Sequence, residues 1–139
     1  MRKSRTQVKS RVAPKALTTM KERVRQITSR ITGRSIDAVI AELRGYLLGW
    51  KGYFRLAETP RKLADLDEWV RHRLRALQLK RWKRGTTTYR ELRRLGATEV
   101  VARRVAGNTR RWWKNSGMLL HTVLPKRYYI ERGLPVLAG

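Results

Sequence analysis

Residues 59–84 read TPRKLADLDEWVRHRLRALQLKRWKR. Thr59 supplies a capping hydroxyl and Pro60 needs no amide partner, which together mark a helix start. Leu63, Leu66, Val70, Leu74 and Leu77 then recur three or four residues apart. That spacing lays one apolar stripe along a helix running to about Arg84. Arg71, His72, Arg75 and Lys83 fall mainly off the stripe, and Arg73 sits at its edge. No acid occurs from Trp69 through Arg90.

Working upstream, residues 1–13 (MRKSRTQVKSRVA) hold five basic residues, no acid and no apolar periodicity, the pattern of a flexible basic arm. After Pro14, Leu17, Met20, Val24, Ile27 and Ile31 mark one face of a helix expected to end near Gly33. Arg23, Arg25 and Arg30 lie outside that face. Ser35 can cap a second helix, with Ile36, Val39, Ile40, Leu43, Leu47, Trp50 and Phe54 as its broad apolar side. Another flank carries Ala38, Ala41, Gly45, Gly49 and Gly52. A glycine costs an exposed helix roughly 1 kcal/mol, so this strip implies close approach to the backbone. A crossing neighbour helix is the favoured reading and a passing RNA backbone the other. Glu42, Arg44 and Lys51 argue against a membrane dimer motif.

Downstream, Gly85 and Thr86–Thr88 break the pattern. Thr88 to Glu91 matches a capping box that would open a short helix ending at Gly96. Thr98 caps a segment with Val100, Val101 and Val105, stopped at Gly107-Asn108. Further short helices are expected around 109–115, 117–124 and 126–132, and residues 133–137 (GLPVL) read as an extended tail docked through its apolar residues. The expected fold is all-α: a three-helix bundle over residues 14–84, then a small domain of short helices over 88–139.

The chain's 34 Lys and Arg against 10 Asp and Glu give a net charge of +24 and a pI near 11.7. Self-repulsion on that scale calls for a polyanion, with nucleic acid the leading partner and an anionic membrane second. With no Cys and two His, disulfide frameworks, zinc knuckles and Cys/His dyads are excluded. No signal-peptide or membrane-spanning stretch is evident, so no membrane association and a cytoplasmic location are expected. The acids Asp65, Asp67 and Glu68 form one tight cluster. Asp67 faces Arg71 and Glu68 faces His72 at i,i+4, which favours ordinary pairing over metal or acid-base chemistry. No catalytic residue, metal site or cofactor is expected. Cations interleaved with aromatics are the stronger signal: Trp69 to Arg75, Lys80-Arg81-Trp82-Lys83-Arg84, and Arg110-Arg111-Trp112-Trp113-Lys114. Trp50, Trp69 and Trp112 read as core, while Trp82 and Trp113 are the expected stacking rings.

At Leu43–Phe54 (LRGYLLGWKGYF), Leu66–Arg75 (LDEWVRHRLR) and Trp82-Lys83, the chain resembles the maturase-specific region of group II intron reverse transcriptases. Leu95-Gly96-Ala97, Gly107-Asn108, Arg111-Trp112-Trp113, Leu124-Pro125 and Gly133-Leu134 resemble the short segment after the thumb in bacterial members. The resemblance implies a helical thumb that binds intron RNA and helps it reach its splicing-competent fold, then a small DNA-binding part. On this reading the RNA-binding residues are Arg23, Arg25, Arg30, Arg71, Arg73, Arg75, Lys80, Arg81, Trp82, Lys83 and Arg84, with Arg71 and Arg75 better phased than Arg73. Arg110, Arg111, Trp113 and Lys114 are the DNA-binding ones. The Tyr-x-Asp-Asp motif of the family's polymerases and the Cys-bearing His-Asn-His endonuclease of some members are absent, so this chain is not expected to copy RNA by itself. Group II intron RNA is the implied partner, with target DNA and a separately encoded finger-palm reverse transcriptase domain as further ones. The alternatives are a thumb subunit whose main task is to complete such a polymerase, and a general basic DNA-binding protein.

Overall fold

The computed structural model describes residues 14–29, 33–57, 59–82, 85–107 and 124–138. Among them are six helices and no strand: α1 (Pro14–Ile27), α2 (Ile36–Ala57), α3 (Pro60–Trp82), α4 (Gly85–Arg94), α5 (Glu99–Ala106) and α6 (Lys126–Glu131). The fold is all-α, as expected. The basic arm at 1–13 and the expected helices between 108 and 123 lie outside the described residues.

Side-chain oxygens close the helix starts where the sequence places them. The Ser35 hydroxyl accepts from the Ala38 amide at 3.1 Å, that of Thr59 from Lys62 at 3.3 Å and that of Thr98 from Val101 at 3.2 Å. Two helices end on left-handed glycines, Gly96 (φ 104°) and Gly133 (φ 107°). At each, paired turn bonds satisfy the last carbonyls: Ala97 to Leu92 and Gly96 to Arg93, then Leu134 to Tyr129 and Gly133 to Ile130.

Two boundaries differ from expectation. Helix α1 stops at Ile27 rather than near Gly33, and side chains add bonds to its terminal carbonyls. The Thr28 hydroxyl donates to the Val24 carbonyl at 2.7 Å, and Arg34 donates to that of Ile27 at 3.3 Å. Helix α4 begins at Gly85, so Thr88 lies inside it and is no cap. Glu91 turns forward to Arg94 (2.6 Å) instead of back to Thr88, and the buried Thr88 hydroxyl oxygen has no hydrogen-bond partner among the described residues.

The core joins the apolar stripes of the three long helices. Met20, Val24 and Ile27 of α1 and Val39, Ile40, Leu43, Leu47 and Phe54 of α2 are buried with Leu63, Leu66, Val70, Leu74 and Leu77 of α3. Each fully buried Leu or Ile stabilises the fold by roughly 2 kcal/mol before entropy is counted. Leu92, Ala102 and Val105 extend this core through α4 and α5, and Leu124, Tyr129, Leu134 and Leu137 through the C-terminal segment. The docked tail expected at 133–137 is thus present.

The polar side of α3 corrects the sequence reading. Arg71 and Arg75 were expected to point away from the core, yet Arg71 is 9% and Arg75 only 1% exposed. Asp67, Arg71, Arg75 and Gln78 form a second stripe at four-, four- and three-residue spacing, and residues 124–138 cover it. Arg75 donates through Nε to the Leu124 carbonyl at 2.8 Å and through Nη1 to Glu68 at 3.1 Å, and its guanidinium lies 5.8 Å from the Tyr129 ring centroid. Glu68 also accepts from Arg71 at 2.8 Å. Asp67 receives the amides of Leu137 and Ala138 at 2.8 and 3.0 Å instead of pairing with Arg71. Gln78 accepts from the Tyr129 hydroxyl at 2.5 Å. From α2, Arg44 reaches the Gly133 carbonyl and Asp37 accepts from Arg132, both at 3.0 Å.

Loss of the Arg75 guanidinium strips partners from the buried Leu124 carbonyl and from Glu68. Arg75→Gln is therefore expected to lower stability by roughly 3 kcal/mol, read as a fall in Tm on the order of 10 °C. A wild-type melting curve would contradict the buried geometry.

Tyr129 ties the same contact to pH. Burial pushes its phenol well above the ordinary value of 10.0, and the charge on Arg75 offsets this only in part. The folded chain holds this proton more tightly than the unfolded one, so the contribution is complete below about pH 10 and is lost as the pH rises further. Tyr129→Phe should cost about 1–2 kcal/mol at neutral pH, through the orphaned Gln78 oxygen. It should also flatten the alkaline fall in stability, as urea melts at neutral pH and near pH 10.5 would show. An equally steep fall in the variant would assign the alkaline transition to another group.

Candidate nucleic-acid interface

The corner where α1 meets α3 gathers cations around one indole. On α3, Trp69 and Arg73 are one helical turn apart, as are Lys21 and Arg25 on α1, so each pair shares a face. Lys21 Nζ lies 5.5 Å from the Trp69 ring centroid, and the guanidinium carbons of Arg25 and Arg73 lie 5.4 and 5.8 Å from it. Trp69 packs against the core with part of its ring still accessible. Each cation gains from the negative π face, but three charges around one ring also repel one another.

Arg73 is fixed there by relay. Its Nε donates to the buried Thr28 hydroxyl at 2.7 Å, which in turn donates to the Val24 carbonyl. Among the described residues, Lys21 and Arg25 have no ion-pair partner. Arg23, on the same helix, pairs with Glu42 at 2.9 Å, and Glu42 also holds Arg34. The arrangement thus leaves a planar ring rimmed by two uncompensated cations, with a third held rigidly. That set can stack a base and neutralise the phosphates beside it.

The other expected residues are placed as follows. Arg25 is exposed and belongs to the corner, and Arg73 belongs to it although helical phasing ranked it below Arg71 and Arg75. Those two arginines face inward, Arg71 onto Glu68 and Arg75 onto Glu68 and the Leu124 carbonyl of the C-terminal segment. Lys80 is exposed and Arg81 partly buried, its buried Nη2 without a hydrogen-bond partner among the described residues. Trp82, expected as a stacking ring, and Trp69, expected in the core, are both partly buried and packed against the core. Trp69 is also the ring that carries the cations. Arg30, Lys83, Arg84, Arg110, Arg111, Trp113 and Lys114 lie outside the described residues. Sequence reading missed Lys21, although its i,i+4 spacing from Arg25 puts both on one flank of α1. The missing information was which face of α3 that flank meets.

Among the described residues no helix crosses the glycine strip of α2, which the sequence reading favoured. Ala38, Ala41, Gly45, Gly49 and Gly52 are exposed, and among the described residues a Cβ built on any of the three glycines meets nothing within 4 Å. Leu48 (45%), Tyr53 (44%) and Leu56 (85%) are exposed on the same helix. Among the described residues no helix is long and apolar enough to cross a membrane, and no group of three or more His, Asp or Glu is placed to hold a metal ion.

The model of the family described as group II intron, maturase-specific domain matches residues 17–96. The chain belongs to that family. The match begins in α1, contains α2 and α3, and ends at Gly96, which terminates α4. The maturase-specific domain therefore includes the Trp69 corner, the open strip and the buried polar stripe of α3, while residues 124–138 dock onto it from outside the matched span. No curated protein matches the chain.

Proposed function

We propose that this chain binds group II intron RNA through the Trp69 corner and assists the intron's folding and splicing, without polymerase activity of its own. The observation that carries the reading is the set of Lys21, Arg25 and Arg73 around one accessible indole, in a maturase-specific domain of a chain with net charge +24. The cations attract phosphate at long range and fix its position at short range, while the ring offers a sequence-tolerant platform for an unstacked base. Arg23, Lys80 and Arg81 contribute to the same electrostatic field. Target DNA is a further partner, met through Arg110, Arg111, Trp113 and Lys114. The location that suits this role is the cytoplasm.

Lys21→Gln with Arg25→Gln should weaken binding to structured intron RNA and reduce the slope of log affinity against log salt by about one unit per lost phosphate contact. The fold should be retained, because neither residue anchors the core. Wild-type selectivity for that RNA over duplex DNA at raised salt is the accompanying expectation. Equal affinity for both would support a general DNA-binding protein, and an unchanged slope would move the RNA to another face.

A second reading rests on the open strip of α2. Small residues beside exposed Leu48, Tyr53 and Leu56 suit a protein that approaches the helix backbone closely, such as a separately encoded finger-palm domain completed by this thumb. Gly49→Ala should stabilise the isolated chain by up to about 1 kcal/mol, since the methyl meets nothing and alanine favours the helix. If the strip is a docking face, the same methyl should reduce splicing stimulated jointly by the chain and its finger-palm partner at low Mg, leaving RNA binding by the chain unchanged. Undiminished joint stimulation would remove the strip from the interface.

A further inference from the structure

Next to the Trp69 ring, α1 and α3 enclose an open cavity of about 270 Å³ lined by Leu17, Lys21, Lys62, Asp65, Leu66 and Trp69. Drug-sized ligands occupy roughly 300–1,000 Å³, so this space suits one planar ring and excludes a duplex. Its construction follows from helical spacing. Lys62, Asp65 and Trp69 succeed one another at i,i+3 and i,i+7 on α3 around Leu66, and Leu17 and Lys21 are one turn apart on α1. The result is an apolar floor with a cationic rim and a single carboxylate. Asp65 is exposed and has no hydrogen-bond or ion-pair partner among the described residues, unlike Asp67 and Glu68 beside it.

We infer that this cavity takes one unpaired guanine of an RNA strand, with Asp65 accepting from the base edge and Leu17, Leu66 and Trp69 packing around the base. The inference rests on the RNA-binding reading of the same corner and adds base selectivity to it. A carboxylate only accepts hydrogen bonds. Guanine is the base that offers two adjacent donors, N1–H and the N2 amino group, and so matches both carboxylate oxygens. Adenine, cytosine and uracil each set an acceptor beside their donor, which a carboxylate repels. An acid on a surface meant only for phosphates would weaken binding, so its place on the rim has a use where a donor edge must be chosen. Lys21 and Lys62 on the rim, with Arg25 over the ring, meet the flanking phosphates.

The test uses the full chain with short single-stranded oligouridylates carrying one central guanosine, inosine or adenosine, and reads affinity by fluorescence anisotropy at fixed ionic strength. The guanosine strand should bind about tenfold tighter than the adenosine strand, within the range of a good bidentate contact. Inosine, which lacks the N2 amino group, should fall between them. Asp65→Ala should abolish the guanosine advantage and leave the adenosine strand bound as well or better, because a negative charge is removed. The variant should fold, since Asp65 is exposed and alanine is the strongest helix former. Equal affinity of the wild-type chain for all three strands, or an advantage that survives Asp65→Ala, would overturn the inference. If in that case Lys21→Gln with Arg25→Gln still lowers the salt slope, the RNA-binding reading stands and only the guanine pocket falls; if the slope is also unchanged, both fall.

Discussion

A guanidinium cannot give up its charge inside a protein, so a buried one must be surrounded by acceptors or the fold fails around it. Arg75 imposes that constraint here. Its acceptors come from one turn of its own helix, through Glu68, and from the Leu124 carbonyl far along the chain. Covering it therefore requires the C-terminal segment to lie along α3. Once that segment is docked, Asp67 takes the Leu137 and Ala138 amides and Gln78 takes the Tyr129 hydroxyl. A helix that would otherwise have one buried side becomes the central element of the molecule, with an apolar face toward α1 and α2 and a polar face toward residues 124–138.

The same constraint shapes the surface. Acids are scarce in a chain of charge +24, and several of those described are committed to framework contacts. Glu42 binds Arg23 and Arg34, Glu68 binds Arg71 and Arg75, and Asp37 binds Arg132. Lys21 and Arg25 are left uncompensated beside Trp69. Asp65, an acid on the rim of that positive corner, and Glu22 on α1 have no partner among the described residues.

Local signals made most of the fold legible. Ser35, Thr59 and Thr98 announce helix starts and Gly96 and Gly133 announce ends, because caps and left-handed turns are decided by the few residues that form them. The apolar stripe of α3 was equally plain. Its polar stripe was misread, since hydrophobic periodicity treats every charged residue as solvent-facing and has no means of foreseeing an acceptor some fifty residues away, as Leu124 is for Arg75. Trp69, read as core, carries cations for a related reason: which charged flank of α1 meets it is fixed by packing rather than by spacing within α3. Thr88 shows the limit of motif reading, for its capping-box pattern is genuine but the helix had already begun at Gly85.

The open strip of α2 completes the argument, because nothing within the described chain accounts for it. Three glycines in one exposed helical flank forgo on the order of 2–3 kcal/mol of helix stability relative to alanine, and among the described residues a Cβ added at any of them would meet nothing within 4 Å. The helix tolerates this because Val39, Ile40, Leu43, Leu47 and Phe54 are buried on its other side. Tolerance is not a reason for the glycines to be there. Bare backbone next to exposed Leu48, Tyr53 and Leu56 favours an occupant from outside the chain, and the apolar neighbours favour protein over RNA. The Trp69 corner and the strip would then divide the work, one supplying charge and stacking for the nucleic acid and the other a close apolar contact for the protein that helps hold it.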